Sequence, residues 1–227
     1  MMSNLFNYAD PNSLVSRLRL RRSQVLRQLI ADVTAVKGDC RVLDVGGESS
    51  YWMSIFGPDW LHANRVHVTL LNHTDEYVGK PDPELFAVVI ADGCALPYRD
   101  HMFDLTHSNS VIEHVGDGPR QRRFAEEFRR VGSRYYLQTP ARCFPLEPHV
   151  RFPWFQYLPS AARVWLFQHL SLGSYPRVSR ERAEHFDREL QLLTCRRLRS
   201  LFPDAVLRRE RLFGLTKSYM VVGAGLN

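Results

Sequence analysis

The 227-residue chain has few cysteines, almost no lysine and no long apolar run, and each shortage removes a class of protein. Its four cysteines, Cys40, Cys94, Cys143 and Cys195, are scattered with no C-x-x-C pair, which argues against a disulfide framework or a cysteine zinc site and suits a reducing, cytoplasmic setting. No stretch approaches the roughly 18 apolar residues of a membrane span. The N-terminus lacks a charged region followed by an apolar one, so a soluble, unprocessed protein is expected. No internal period recurs, which removes repeat architectures. Lysine occurs only at 37, 80 and 217, so 27 of the 30 basic residues are arginine, in a chain of net charge +6. The arginines gather at 17–27, 120–134 and 196–211, and Asp117, Glu126 and Glu127 neighbour the middle group. Solvated helix faces explain these clusters better than a nucleic-acid footprint does.

What is present is an alternation of strand and helix. Apolar runs at 41–46, 66–71, 86–91, 103–108 and 135–138 are each bounded by Pro, Gly, Asp or Asn and read as strands. Near-continuous apolar strands imply a sheet covered on both faces. Helices are expected at 23–36, 49–56 and 120–131, where Phe124, Phe128 and Val131 share a face. Between 140 and 176 the chain carries six prolines and eight aromatic residues, too apolar for a solvated linker and too broken for one long helix. It reads as an inserted cap with one short helix near 161–170. A helix at 180–201 and strands at 205–212 and 217–222 follow, the last two close enough for a hairpin. The expectation is an α/β, doubly wound, mostly parallel sheet with a reversed C-terminal hairpin. It would form a single domain over 1–227, with an N-terminal helical segment at 1–38 and a cap at 140–178.

Ligands of open α/β sheets bind beyond the carboxyl ends of the strands, so the residues after each strand are the informative ones. The first strand ends Asp44-Val-Gly46-Gly47-Glu48-Ser-Ser50, which is neither a nucleoside-triphosphate P-loop nor a G-x-G-x-x-G turn. The second is followed by Asn72-His73-Thr-Asp75-Glu76 and the third by Asp92-Gly93-Cys94. A ribose-binding acceptor at the second position and an Asp for an exocyclic amine at the third outline a nucleoside lying across neighbouring strand ends.

The segments Val42-Leu-Asp44-Val-Gly46-Gly47, Ala91-Asp92-Gly93-x-x-Leu-Pro97-Tyr and Met102-Phe-Asp104-Leu-x-x-Ser-Asn-Ser-Val111-Ile-Glu113-His114-Val resemble, in order and spacing, the motifs of class I S-adenosylmethionine-dependent methyltransferases of the methyltransferase 11 type. Gln138-Thr-Pro140, Phe144-Pro-x-Glu147-Pro-His149 and Leu215-Thr-Lys-Ser218 resemble a bacterial subgroup of that family. The resemblance implies a Rossmann-like seven-stranded sheet and S-adenosylmethionine as cofactor, released as S-adenosylhomocysteine. It implies that Asp44, Gly46 and Gly47 meet the methionine part, Asn72 the ribose, and Asp92 with Gly93 the adenine, while Ser108 and Asn109 close the site. Two departures stand out: Glu48 and Ser50 occupy a turn that usually holds more glycine, and Asn72 stands where an acid is usual, with Asp75 or Glu76 as substitutes.

Methyl transfer to a hydroxyl needs a base, and histidine, with a pKa near ~6.5, is the natural one. His114 follows the fourth strand, and His149 sits in the insertion beside Glu147, which gives the candidate catalytic set His114, His149 and Glu147. The pair Glu113-His114 resembles half of the E-x-x-E-H metal site of some related methyltransferases. Ser110 occupies the first position and no H-E-x-x-H occurs, so no metal is expected. Trp154, Phe155, Tyr157 and Trp165 are candidates to line an acceptor pocket, and Arg142 and Arg151 to hold a phosphate or carboxylate. The expected acceptor is a small metabolite, a glycan sugar or a lipid-linked intermediate, methylated on oxygen. An RNA acceptor and a degenerate, non-catalytic binding subunit are the alternatives, and helix 23–36 is left to cap the pocket or to pair subunits in a homodimer.

Overall fold

The structure, a computed structural model, describes residues 13–75 and 81–225. Helix α1 (Leu14–Lys37) starts nine residues before the expected 23, because the Ser13 hydroxyl accepts from the Ser16 N–H and caps it. Ser23 instead donates its hydroxyl to the Leu20 carbonyl inside the helix, a bond that imitates a start signal in sequence. Strand β1 (Cys40–Val45) leads through a glycine turn into α2 (Ser49–Ile55). A further helix, α3 (Pro58–Ala63), follows Gly57, whose φ of 73° lets the chain turn before Pro58 opens the helix. Next come β2 (Val66–Asn72), β3 (Phe86–Ile90), β4 (Phe103–Asn109), α4 (Gly118–Val131) and β5 (Gly132–Pro140). After β5 the chain forms α5 (Ser160–His169), α6 (Arg180–Glu189), α7 (Cys195–Leu201), β6 (Val206–Leu212) and β7 (Leu215–Ala224).

The strands form one seven-stranded sheet in the order β3-β2-β1-β4-β5-β7-β6, parallel except for β7, which runs antiparallel to both β5 and β6. Order reverses between β1 and β4, which makes their carboxyl ends the switch point where a ligand settles. The expected doubly wound sheet with a reversed hairpin is what forms. One face packs on α4 and α7 through Phe124, Phe128, Leu198 and Phe202, and the other on α1, α2 and α3 through Leu26, Ile30, Trp52 and Leu61. The expectation that every strand is covered on both faces fails at β3, an edge strand whose Val88 and Ile90 are 42% and 50% exposed.

The expected helix at 180–201 is two. Residues 190–194 leave it because the Gln191 N–H binds the Glu113 carbonyl and Leu193 bridges Ala141, while Thr194 caps α7. A third apolar cluster, separate from the sheet, joins Val150, Phe155, Val164, Phe167 and Leu172 to Ala183 and Leu190. The segment after β5 thus packs a small core of its own that runs through α6.

Candidate functional site

At the switch point β1 and β4 are in register so that Asp44 lies opposite His107. Asp44 is 2% exposed, and both carboxylate oxygens are engaged: Oδ1 with His107 Nδ1 at 2.7 Å and Oδ2 with the Trp52 indole N–H at 2.7 Å. Rings close around the pair, with Tyr51 and Tyr136 stacked on His107 at 5.3 and 5.7 Å. His107 carried no expectation in sequence, since only the register of β4 against β1 brings it to Asp44.

The glycine turn rests on this support. Gly46 has φ 74°, and a Cβ there would lie 2.3 Å from Val111 Cγ2; a Cβ on Gly47 would lie 2.2 Å from Asp44 Oδ2. No other residue fits either position, so the turn presents bare backbone. Asn72, at the end of β2, donates from Nδ2 to the Gly47 carbonyl at 2.8 Å and leaves its own carbonyl oxygen as an acceptor. Ser108 is fully buried and donates to the Val45 carbonyl at 2.9 Å, which ties β4 to β1; Asn109 follows it, partly exposed, at the strand's end. Glu48 is exposed and accepts from Ser50, and Asp75 is exposed; Glu76 lies outside the described residues.

After β3, Asp92 accepts from the Cys94 N–H at 2.9 Å and from Arg120 Nη2 at 3.1 Å. Partial burial works against its ionisation, but the Cys94 N–H and the Arg120 guanidinium outweigh it and hold the carboxyl below the usual range. Gly93 beside it packs against Val45 and Phe124. Arg120, which the sequence placed on a solvated face, is tied by Nε to the Val115 carbonyl at 2.7 Å. Other arginines are likewise engaged within the chain: Arg22 with Glu210, Arg129 with Asp204, and Arg130 with Asp100 and Glu127.

The second polar group joins the end of β4 to the segment after β5. His114 Nε2 lies 3.1 Å from His149 Nε2, with the rings nearly perpendicular, and His149 Nδ1 lies 2.7 Å from Glu147 Oε1. The three expected catalytic residues therefore meet. Glu147 is fully buried, its other oxygen accepting from the Val150 N–H. A fourth member, Glu113, which the sequence offered only as half of an incomplete metal motif, is also fully buried; Oε2 accepts from Thr139 at 2.9 Å and Oε1 has no hydrogen-bond partner. Burial, only partly offset by His149, pushes the Glu113 carboxyl up to about 6. Burial and the nearby positive His149 push His114 down to about 4. His149 itself is raised, because the Glu147 hydrogen bond and the charges of Glu113 and Glu147 outweigh its desolvation. Among the described residues, Glu113, His114 and His149 present ligand atoms that all lie within 4.8 Å of one another.

Residues 43–134, from β1 into β5, match the family model of a methyltransferase domain. Over these residues the chain is similar to methyltransferase domains, and its seven-stranded sheet is the fold of solved S-adenosylmethionine-dependent methyltransferases. The fold is shared by solved structures of low sequence identity. The N-terminal domain of EvdMO1 with S-adenosylhomocysteine bound is 14% identical at a TM-score of 0.55, over 92% of this chain and 81% of that one. A possible exported protein from Bordetella parapertussis is 12% identical at 0.54, over 93% and 68%. A SAM-dependent methyltransferase from Aquifex aeolicus is 14% identical at 0.52, over 93% of each. No curated protein matches the chain. Among the described residues no helix is long and apolar enough to cross a membrane.

Proposed function

We propose that the methyltransferase methylates a hydroxyl oxygen of a small, glycan or lipid-linked acceptor held between the end of β4 and the cap at 140–178. The observation that carries this reading is the Glu147, His149, His114 chain, which places a proton acceptor where the cap meets the sheet. The bare Gly46-Gly47 turn and the exposed carboxylate of Asp92 fit S-adenosylmethionine, which when bound supplies a methyl group activated by a sulfonium. Asp44 holds the turn from beneath, Asn72 offers its amide oxygen to the ribose, Asp92 and Gly93 face the adenine, and Ser108 and Asn109 close the site beside them.

In this reading the acceptor's oxygen would form the new bond to the methyl carbon as the carbon–sulfur bond breaks to leave S-adenosylhomocysteine, and the hydroxyl proton would pass to the histidine pair. Glu147 orients His149 and stabilises the imidazolium that results. The cap excludes water and fixes the acceptor in line, where most of the rate gain originates. A small acceptor is favoured over RNA because many arginines from all three clusters are committed to carboxylates or backbone within the chain. Arg142 and Arg151 are both exposed beside the Glu147 to His149 segment, where an anionic group on the acceptor would lie.

Calorimetric titration with S-adenosylmethionine and S-adenosylhomocysteine tests the cofactor half: saturable binding is expected, abolished in Asp92→Ala. A labelled-methyl screen of hydroxylated acceptors tests the other half. Arg151→Ala should raise KM for an anionic acceptor, and an unchanged KM removes that contact. Undetectable cofactor binding by well-folded protein would turn the reading toward a non-catalytic subunit.

A further inference from the structure

We infer that Glu113, His114 and His149 form a binding site for one divalent transition-metal ion with mixed nitrogen and oxygen preference, of the kind zinc and cobalt display. The sequence pointed away from this because Ser110 stands where a first carboxylate would be needed. The structure supplies the third ligand from the insertion instead, as His149.

Four features of the cluster support the site. Two nitrogens bound about 2.0–2.1 Å from a tetrahedral ion lie about 3.3 Å apart, and the two Nε2 atoms are already 3.1 Å apart with their rings crossed. Glu113 Oε1 is 3.8 Å from His149 Nε2 and has no partner, although the side chain is fully buried. A buried carboxylate oxygen left without a donor is costly, and a cation removes that cost. The outer bonds are also those of a metal site: Glu147 accepts a hydrogen bond from the His149 Nδ1–H, which leaves Nε2 free to ligate, and Thr139 orients Glu113 through Oε2. Two histidines and one carboxylate leave a coordination position open, as catalytic zinc sites do.

Metal binding itself does not depend on the proposed acceptor; only its consequence does. With the ion bound, the two histidines would be ligands in place of the proton acceptor proposed for the metal-free chain; the cation would lower the pKa of an acceptor hydroxyl in the open position, whose proton would leave to solvent.

The test uses the full, tag-free chain, stripped by chelator and titrated with Co2+ by visible absorption and with Zn2+ by calorimetry. One ion per chain is expected, with Co2+ bands that Zn2+ displaces. Glu147→Gln, which keeps the shape of the second carboxylate, should weaken binding about 10–100-fold. His149→Ala should abolish it with a native circular dichroism spectrum, and His185→Ala, on the surface of α6, should leave it unchanged. Absence of one-to-one binding, or binding unaffected in folded His149→Ala, overturns the inference. Methyl transfer that survives chelation while the ion still binds one to one would leave the site standing and detach it from catalysis.

Discussion

Asp44 and Glu113 are two carboxylates buried at or just beyond the carboxyl ends of adjacent parallel strands, and they are treated oppositely. Asp44 has a donor on each oxygen, both supplied by aromatic side chains of the surrounding core. Glu113 has one oxygen filled by Thr139 and one left bare toward two histidines. The difference separates a strut from a working group: the first is complete without any ligand, whereas the second is complete only when something else arrives.

The most severe way to break this contrast is to remove the strut. Asp44→Ala leaves the Trp52 N–H and a His107 nitrogen buried without partners, and we expect a loss of about 2–5 kcal/mol in urea unfolding. A loss below about 1 kcal/mol would show that Asp44 is no strut. Truncating the other side should do the reverse. His149→Asn, whose amide can still donate to Glu147, should cost about 1 kcal/mol or less in stability but lower kcat by about a hundredfold or more. Equal damage to both quantities would erase the distinction between the two carboxylate environments.

Acid sharpens the comparison at the cofactor end. Hydrogen bonds from Arg130, against partial burial and with help from the Leu96 N–H, hold Glu127 below its ordinary pKa, and Asp92 is depressed as well. Groups lowered in the folded state stabilise it above their unfolded pKa of about 4, and that stability disappears as pH falls through the folded values. A thermal midpoint followed downward from pH 6 should therefore drop most steeply below about pH 4, and Glu127→Gln should flatten the drop. The smallest effect belongs to the cap's outer surface: Trp165→Ala, at a ring 53% exposed, should change unfolding by about 0.5 kcal/mol or less. A larger change would mean that this ring is part of the cap's core.

The parallel strands were legible as short apolar runs ending in turn residues, and the reversed hairpin because Phe213 and Gly214 fall between two strand-like runs, although β6 carries Arg208, Arg209, Glu210 and Arg211. Boundaries were lost where a local signal was ambiguous, as with Ser23, whose hydroxyl bonds within the helix rather than capping it. The glycine turn was legible because Gly46 and Gly47 directly follow an apolar strand, although the side chain that bars a Cβ at 46 is the distant Val111. Glu113 was not, since its importance rests on Thr139 from β5 and His149 from the insertion, 26 and 36 positions away. The pairings of Asp44 with His107 and of Asp92 with Arg120 were hidden for the same reason: register and helix placement, not local pattern, bring them together.

Val111 closes over Gly46, and the His114 N–H binds the Val111 carbonyl at 2.8 Å, so a single tight turn of backbone connects the glycine turn to the histidine pair. That turn works like the fixed jaw of a calliper. In the reading proposed above, this one turn holds the span from the donor's seat to His114, so differences in acceptor size would fall on the opposing jaw, the segment from 140 to 178. Under that reading, changing which molecule is methylated would be a matter of redrawing that segment, with the strands and their turns left as they are.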